Sequence, residues 1–291
     1  PGIGKTTLIE NFVFGVRSHQ KVVSSQHSVV SREEKERQNS KGKTQNSKLT
    51  DPRPLTPNPQ IGWGQCIEHY GAGEAYLPIL EALGRLCRET DGERLIELLK
   101  QHAPTWLVQM PALLNAAELE TLQRKTAGAT RERMLRELAE ALEVITAERP
   151  LVLVLEDLHW SDVSTLDLLS MLARRQEPAR LLIIGTYRPV EVLTRDHPLK
   201  GIKHELQLHG QCEELALDFL TEAHVAEYLE VRFSGEVTGR SPLHSLARVV
   251  HRRTDGNPLF MVNVTNELVA RGGEAQHIAS LQSLEDLGIG I

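Results

Sequence analysis

The stretch LVLVLEDLHWSD, residues 151–162, decides how this chain is read. Pro150 stops whatever precedes it, and five apolar residues, Leu151 to Leu155, follow before two acids, Glu156 and Asp157. A short, partly β-branched apolar run bounded by turn residues predicts a strand buried on both faces, as in a parallel sheet. Ser161 and Asp162 then offer N-caps to a helix carrying Leu166, Leu169, Met171 and Leu172, which Pro178 closes ahead of a second apolar run, LLIIGTY, residues 181–187. Strand, helix and strand within about 35 residues form a parallel crossover unit. The fold class is therefore α/β.

Working outward, the periodicity predicts helices over Tyr76 to Arg88, Gly92 to His102 and Thr130 to Ala147, and a short strand at IGWGQC, residues 61–66. A last strand is expected at His204 to Leu208, and everything beyond Glu213 reads as helical. Residues 19–60 differ from all of this. They hold six apolar residues, no aromatic, four prolines and eight Lys or Arg against four Asp or Glu, too little apolar surface to offset the entropy of ordering. They are expected to be a disordered insertion.

Composition narrows the function. Thirty-three Lys plus Arg against 39 Asp plus Glu leave a net charge of -6, which disfavours an unaided nucleic-acid binder. The longest apolar runs are strand-sized, far short of the roughly 18–20 residues of a membrane-spanning helix. Three widely spaced cysteines, Cys66, Cys87 and Cys212, suggest neither a disulfide framework nor a zinc site, and a reducing cytoplasm is the expectation. The 12 histidines show no metal-ligand spacing, and Gly71-Ala72-Gly73 lacks the third glycine of a dinucleotide fingerprint.

Chemistry is concentrated in four places. Pro1-Gly2-Ile3-Gly4-Lys5-Thr6-Thr7 matches the end of the phosphate-binding loop G-x-x-x-x-G-K-S/T, whose leading Gly would fall two residues before Pro1. Gly2 and Gly4 would let backbone N–H groups around Ile3 turn toward a phosphate at a helix N-terminus; Lys5 would reach the phosphate oxygens and the hydroxyl of Thr6, followed by Thr7, would ligand magnesium. Glu156 and Asp157 fall at the C-terminal end of a strand, where one carboxylate would serve magnesium and the other the attacking water, the assignment being open. Thr186 and Arg188 follow the next strand and would face the same crevice, Arg188 as a γ-phosphate contact. His159 and Trp160 read as packing residues. Thr254-Asp255-Gly256-Asn257-Pro258 is a turn feeding a helix.

In this order the four motifs resemble the signal-transduction ATPases with numerous domains, and within them the origin-recognition-type AAA modules of large bacterial regulators and cyclase-like proteins. The resemblance implies a P-loop NTPase sheet of order 5-1-4-3-2 with a helical lid. It also implies ATP and Mg2+ as cofactors, Thr186 as a sensor, Arg188 on the γ-phosphate and Pro258 against the adenine. The expected domains are a core at 1–210, a lid at 211–275 and a tail at 276–291. The first strand of such a sheet has no counterpart here, and the chain is expected to be a fragment, without initiator Met. The implied function is a slowly hydrolysing, nucleotide-dependent switch of a larger signalling or transcription-regulatory protein, with a non-hydrolysing scaffold as the alternative. Expected partners are ATP or ADP, DNA-binding, cyclase, kinase or helical-repeat domains of the parent protein, and a second copy of the chain; no membrane is expected.

Overall fold

The computed structural model describes residues 5–12, 58–68, 74–233 and 240–270. The glycines of the phosphate-loop motif, most of the expected insertion and the expected tail lie outside the described residues. The described chain divides into two units, one holding residues up to 213 from 58 onward, the other holding 5–12 and the residues from Glu214.

The larger unit is built on a three-stranded parallel sheet of order β1 (Gln60–Gln65), β2 (Leu151–Glu156), β3 (Leu181–Gly185). β1 pairs with β2 from Gln60 opposite Leu151 to Gln65 opposite Glu156, and β2 pairs with β3 from Leu151 opposite Leu181 to Leu155 opposite Gly185. The fold is therefore mixed α/β on a parallel sheet, consistent with the expected P-loop NTPase architecture. β2 is central and its five apolar residues are all buried, which is why its sequence lacks polar alternation.

Between β1 and β2 the chain runs through α2 (Leu77–Leu86), α3 (Gly92–His102), α4 (Pro104–Leu107), α5 (Ala116–Thr126) and α6 (Arg131–Glu148). α2 lies against β1 because β1 offers glycine on that face. A methyl on Gly64 would come within 1.8 Å of the Pro78 carbonyl oxygen, and one on Gly62 within 2.7 Å of Leu153. Thr130 caps α6, accepting from the N–H of Arg133 at 3.3 Å, and Asn115 and Glu118 form a reciprocal capping box on α5. Asp162 caps α7 (Val163–Ala173), accepting from the N–H of Thr165 at 2.9 Å. Leu83, Leu99, Leu153, Leu155 and Leu166 share one core that also takes in Trp106.

Two expectations are corrected here. Residues His204 to Leu208 are not a strand but the end of α9 (Leu199–Leu208), which follows the short α8 (Pro189–Thr194). Leu199, Ile202 and Leu206 recur at helical spacing, the first two on the core and Leu206 buried, so the alternation in HELQL is incidental. β3, expected to be buried on both faces, is only half-buried, with Leu182 46% exposed. It has a partner strand on one edge only among the described residues.

In the smaller unit, residues 5–12 are helical (α1). Residues 214–220 carry no regular structure, a departure from the helical reading of everything beyond Glu213. α10 (Glu222–Arg232), α11 (Arg240–Thr254) and α12 (Pro258–Ala270) follow, and Val225, Leu229, Ala247, Val250 and Val264 make their core. The α11–α12 turn needs Gly256, at φ 71°, since a methyl there would meet the Leu220 carbonyl oxygen at 2.0 Å. Leu220 returns the contact by donating its N–H to the Gly256 carbonyl at 2.8 Å.

Candidate functional site

The candidate site is the C-terminal edge of β2 and β3, where the sheet ends in polar groups. Glu156 closes β2, and the chain then leaves the sheet through Asp157, which sits in the left-handed region at φ 56°, ψ 45°. Asp tolerates that conformation better than most residues, yet it still holds some strain, of the kind that concentrates at working sites. Thr186, the first residue past β3, holds the turn in place. Its Oγ1 accepts from the Asp157 N–H at 3.0 Å, its carbonyl accepts from the Leu158 N–H at 2.7 Å, and its own N–H donates to the Leu155 carbonyl at 3.0 Å. Three bonds to three residues around Asp157 make Thr186 the clamp that aims the acidic turn.

The two carboxylates have different surroundings. Glu156 Oε2 accepts from the indole Nε1 of Trp63 at 2.8 Å, across from β1. Asp157 stays about one-third exposed, with its Oδ1 3.9 Å from Nδ1 of His159, whose side chain is fully buried. His159 also lies 5.0 Å, ring to ring, from Trp160, over which the guanidinium of Arg195 sits at 4.0 Å. The His-Trp pair thus packs the floor of the acidic turn, as its sequence suggested.

Further acids reinforce the negative field. Burial pushes the Cys66 thiol up to about 12, and the nearby carboxylates of Asp162, Asp157 and Glu81 push in the same direction. Asp162, besides capping α7, accepts from the N–H of Tyr76 at 3.2 Å. Tyr76 itself is buried at φ 63°, a costly conformation for a bulky residue, and its ring packs 5.0 Å from that of Trp106. Arg188 occupies the N-cap position of α8, two residues past Thr186; its Nε is buried without a hydrogen-bond partner among the described residues.

Among the sequence candidates, the structure bonds Thr186 to Asp157, places Glu156 beside them at the end of β2 and sets Arg188 on the adjoining chain. Lys5, Thr6 and Thr7 open α1, the first two half-buried and Thr7 exposed, while Gly2, Ile3 and Gly4 lie outside the described residues. Pro258 stands at the first position of α12, half-buried, where its lost N–H costs nothing. Trp63 and Tyr76 were not legible as site residues, because only strand register and a left-handed N-cap bring them to this edge.

The carboxylate pair suits a magnesium ion held the way such ions usually are, by one or two carboxylates with water and phosphate oxygens. No group of three or more His, Cys, Asp or Glu residues that could hold a metal without a substrate occurs among the described residues. Residues 52–184 match the family model of the AAA ATPase domain. That match covers just under half of the chain and takes in all of β1 and β2, the acidic turn and most of β3. It supports an AAA-type ATPase module and, with it, nucleotide binding as the general role. Neither a curated protein nor a solved structure matches the chain significantly. No described helix is long and apolar enough to cross a membrane.

Proposed function

We propose that the chain binds ATP with magnesium and hydrolyses it slowly, as the nucleotide switch of a larger signalling or transcription-regulatory protein of the signal-transduction ATPase type. The observation that carries this reading is the Thr186 clamp on Asp157 beside Glu156, at the end of a buried parallel strand within an AAA-type match. In this reading magnesium would be held through one of Glu156 and Asp157 together with the Thr6 hydroxyl, and would supply charge neutralisation to the phosphates. Lys5 would neutralise phosphate oxygens from the start of α1. Whichever of Glu156 and Asp157 is not engaged by the cation would orient the attacking water. Arg188, permanently charged and with a buried Nε that has no hydrogen-bond partner among the described residues, is suited to a γ-phosphate oxygen. Pro258 would lie against the adenine from the helices α10 to α12 acting as a lid, and the nucleotide state would be passed on through that lid.

The test is an ATP titration in the presence of magnesium, on the chain of residues 1–291 and on Lys5→Ala. Saturable binding at or below millimolar concentration is expected, weakened by the substitution. Equal affinity in the two proteins would reject the role given to Lys5.

A further inference from the structure

Trp63 lies in the middle of β1, and its position is set by register. It pairs with Val154, while Gln65 is the direct neighbour of Glu156. Side chains alternate along a strand, so Ile61, Trp63 and Gln65 share a face with Val152, Val154 and Glu156, opposite the glycine face of Gly62 and Gly64 that admits α2. From Trp63 to Glu156 is one strand across and two residues along, roughly 8 Å between backbones by ordinary strand spacing. Few side chains span that diagonal and end in a donor. The indole of Trp63 does so, with Nε1 2.8 Å from Glu156 Oε2.

We infer that Trp63 is a positioning residue of the nucleotide site, fixing the plane of the Glu156 carboxylate for its work on magnesium or water; the assignment rests on the ATPase reading above. An indole N–H only donates, so it anchors an oxygen that bears lone pairs and cannot itself take the place of a cation or a phosphate. The two acids of the turn are then aimed from opposite sides of β2, Glu156 by a side chain of β1 and Asp157 by the Thr186 hydroxyl beyond β3. Groups that orient a ligating or catalytic carboxylate in this way commonly matter by about 10- to 100-fold in affinity or activity.

The experiment compares residues 1–291 with Trp63→Phe, Glu156→Ala and the double variant. The chain has three tryptophans and so three indole N–H resonances in a proton–nitrogen correlation spectrum. Trp63→Phe identifies the Trp63 resonance by its loss, and Glu156→Ala is expected to move that resonance more than those of Trp106 and Trp160. Trp63→Phe is further expected to lower kcat for Mg-ATP about 10-fold while Kd for ATP changes less than about twofold, and to have no further effect on kcat once Glu156 is Ala. An unmoved resonance overturns the inference, as does an unchanged kcat in Trp63→Phe, or a loss of affinity equal to the loss of rate. A wild-type chain that binds ATP without turning it over rejects the hydrolytic reading itself, and the positioning role with it.

Discussion

At Asp157 a residue type and a backbone conformation serve two ends. The left-handed turn would suit glycine or asparagine as well as aspartate, so the backbone does not require the carboxylate. Asp157→Asn is therefore expected to keep the midpoint of urea unfolding within about 0.5 kcal/mol of wild type while cutting phosphate release at least about 10-fold; equal loss of both would make Asp157 a structural residue. Thr186→Val should behave differently, because it leaves the Asp157 N–H without its acceptor. A cost of about 1–2 kcal/mol in the same unfolding assay is expected, with reduced turnover. The Cys66 and Cys87 thiols add a pH prediction. Burial raises them to about 12 and about 11 from 9.0, so the unfolded chain gives up these protons first as pH rises. Their contribution is intact below pH 9 and is lost as the pH climbs through 11 to 12. Alkaline unfolding curves should show this loss, and Cys66→Ala should reduce its steepness. An acid pair after an apolar run, or Gly-Lys-Thr before a helix, is a local pattern that a sequence can offer as an expectation. Trp63 was not legible in this way, since its partner lies 93 residues away and is found only through strand register.

Elements were legible where a buried face leaves a period. β2, α6 and α7 follow from apolar spacing and from the caps Thr130 and Asp162, and the structure places them with shifts of a residue or so. α9 was missed because Glu205 and Gln207 alternate with His204, Leu206 and Leu208 over too short a window, while the contacts that decide it, Leu199 and Ile202, lie upstream. β1 shows how an element's sequence records its neighbour: two glycines on one face admit α2, and the opposite face carries Trp63. Gly64→Ala should therefore force α2 away from the sheet and destabilise the fold by about 1–3 kcal/mol, read from thermal or urea unfolding; an unchanged midpoint would mean that α2 does not approach β1 this closely in solution.

Over the whole molecule, one unit carries the sheet and its acidic edge, and the other carries α1 and the three-helix cluster of α10 to α12. The α/β class was legible from the alternation of buried strands and amphipathic helices, which is a property of the entire chain between residues 61 and 187. Residues 5–12 group with residues far along the sequence, an association that no local pattern announces. Magnesium-dependent ATP binding is the core of the proposed function. The decisive measurement is a calorimetric titration of Mg-ATP into residues 1–291, repeated with Lys5→Ala and with Glu156→Ala combined with Asp157→Ala. One saturable site per chain is expected, at least about 10-fold weaker in Lys5→Ala, with a dependence on magnesium that the double replacement of Glu156 and Asp157 abolishes. Absence of saturable binding at millimolar Mg-ATP, or binding indifferent to Lys5→Ala and to the double replacement, would contradict the proposed function.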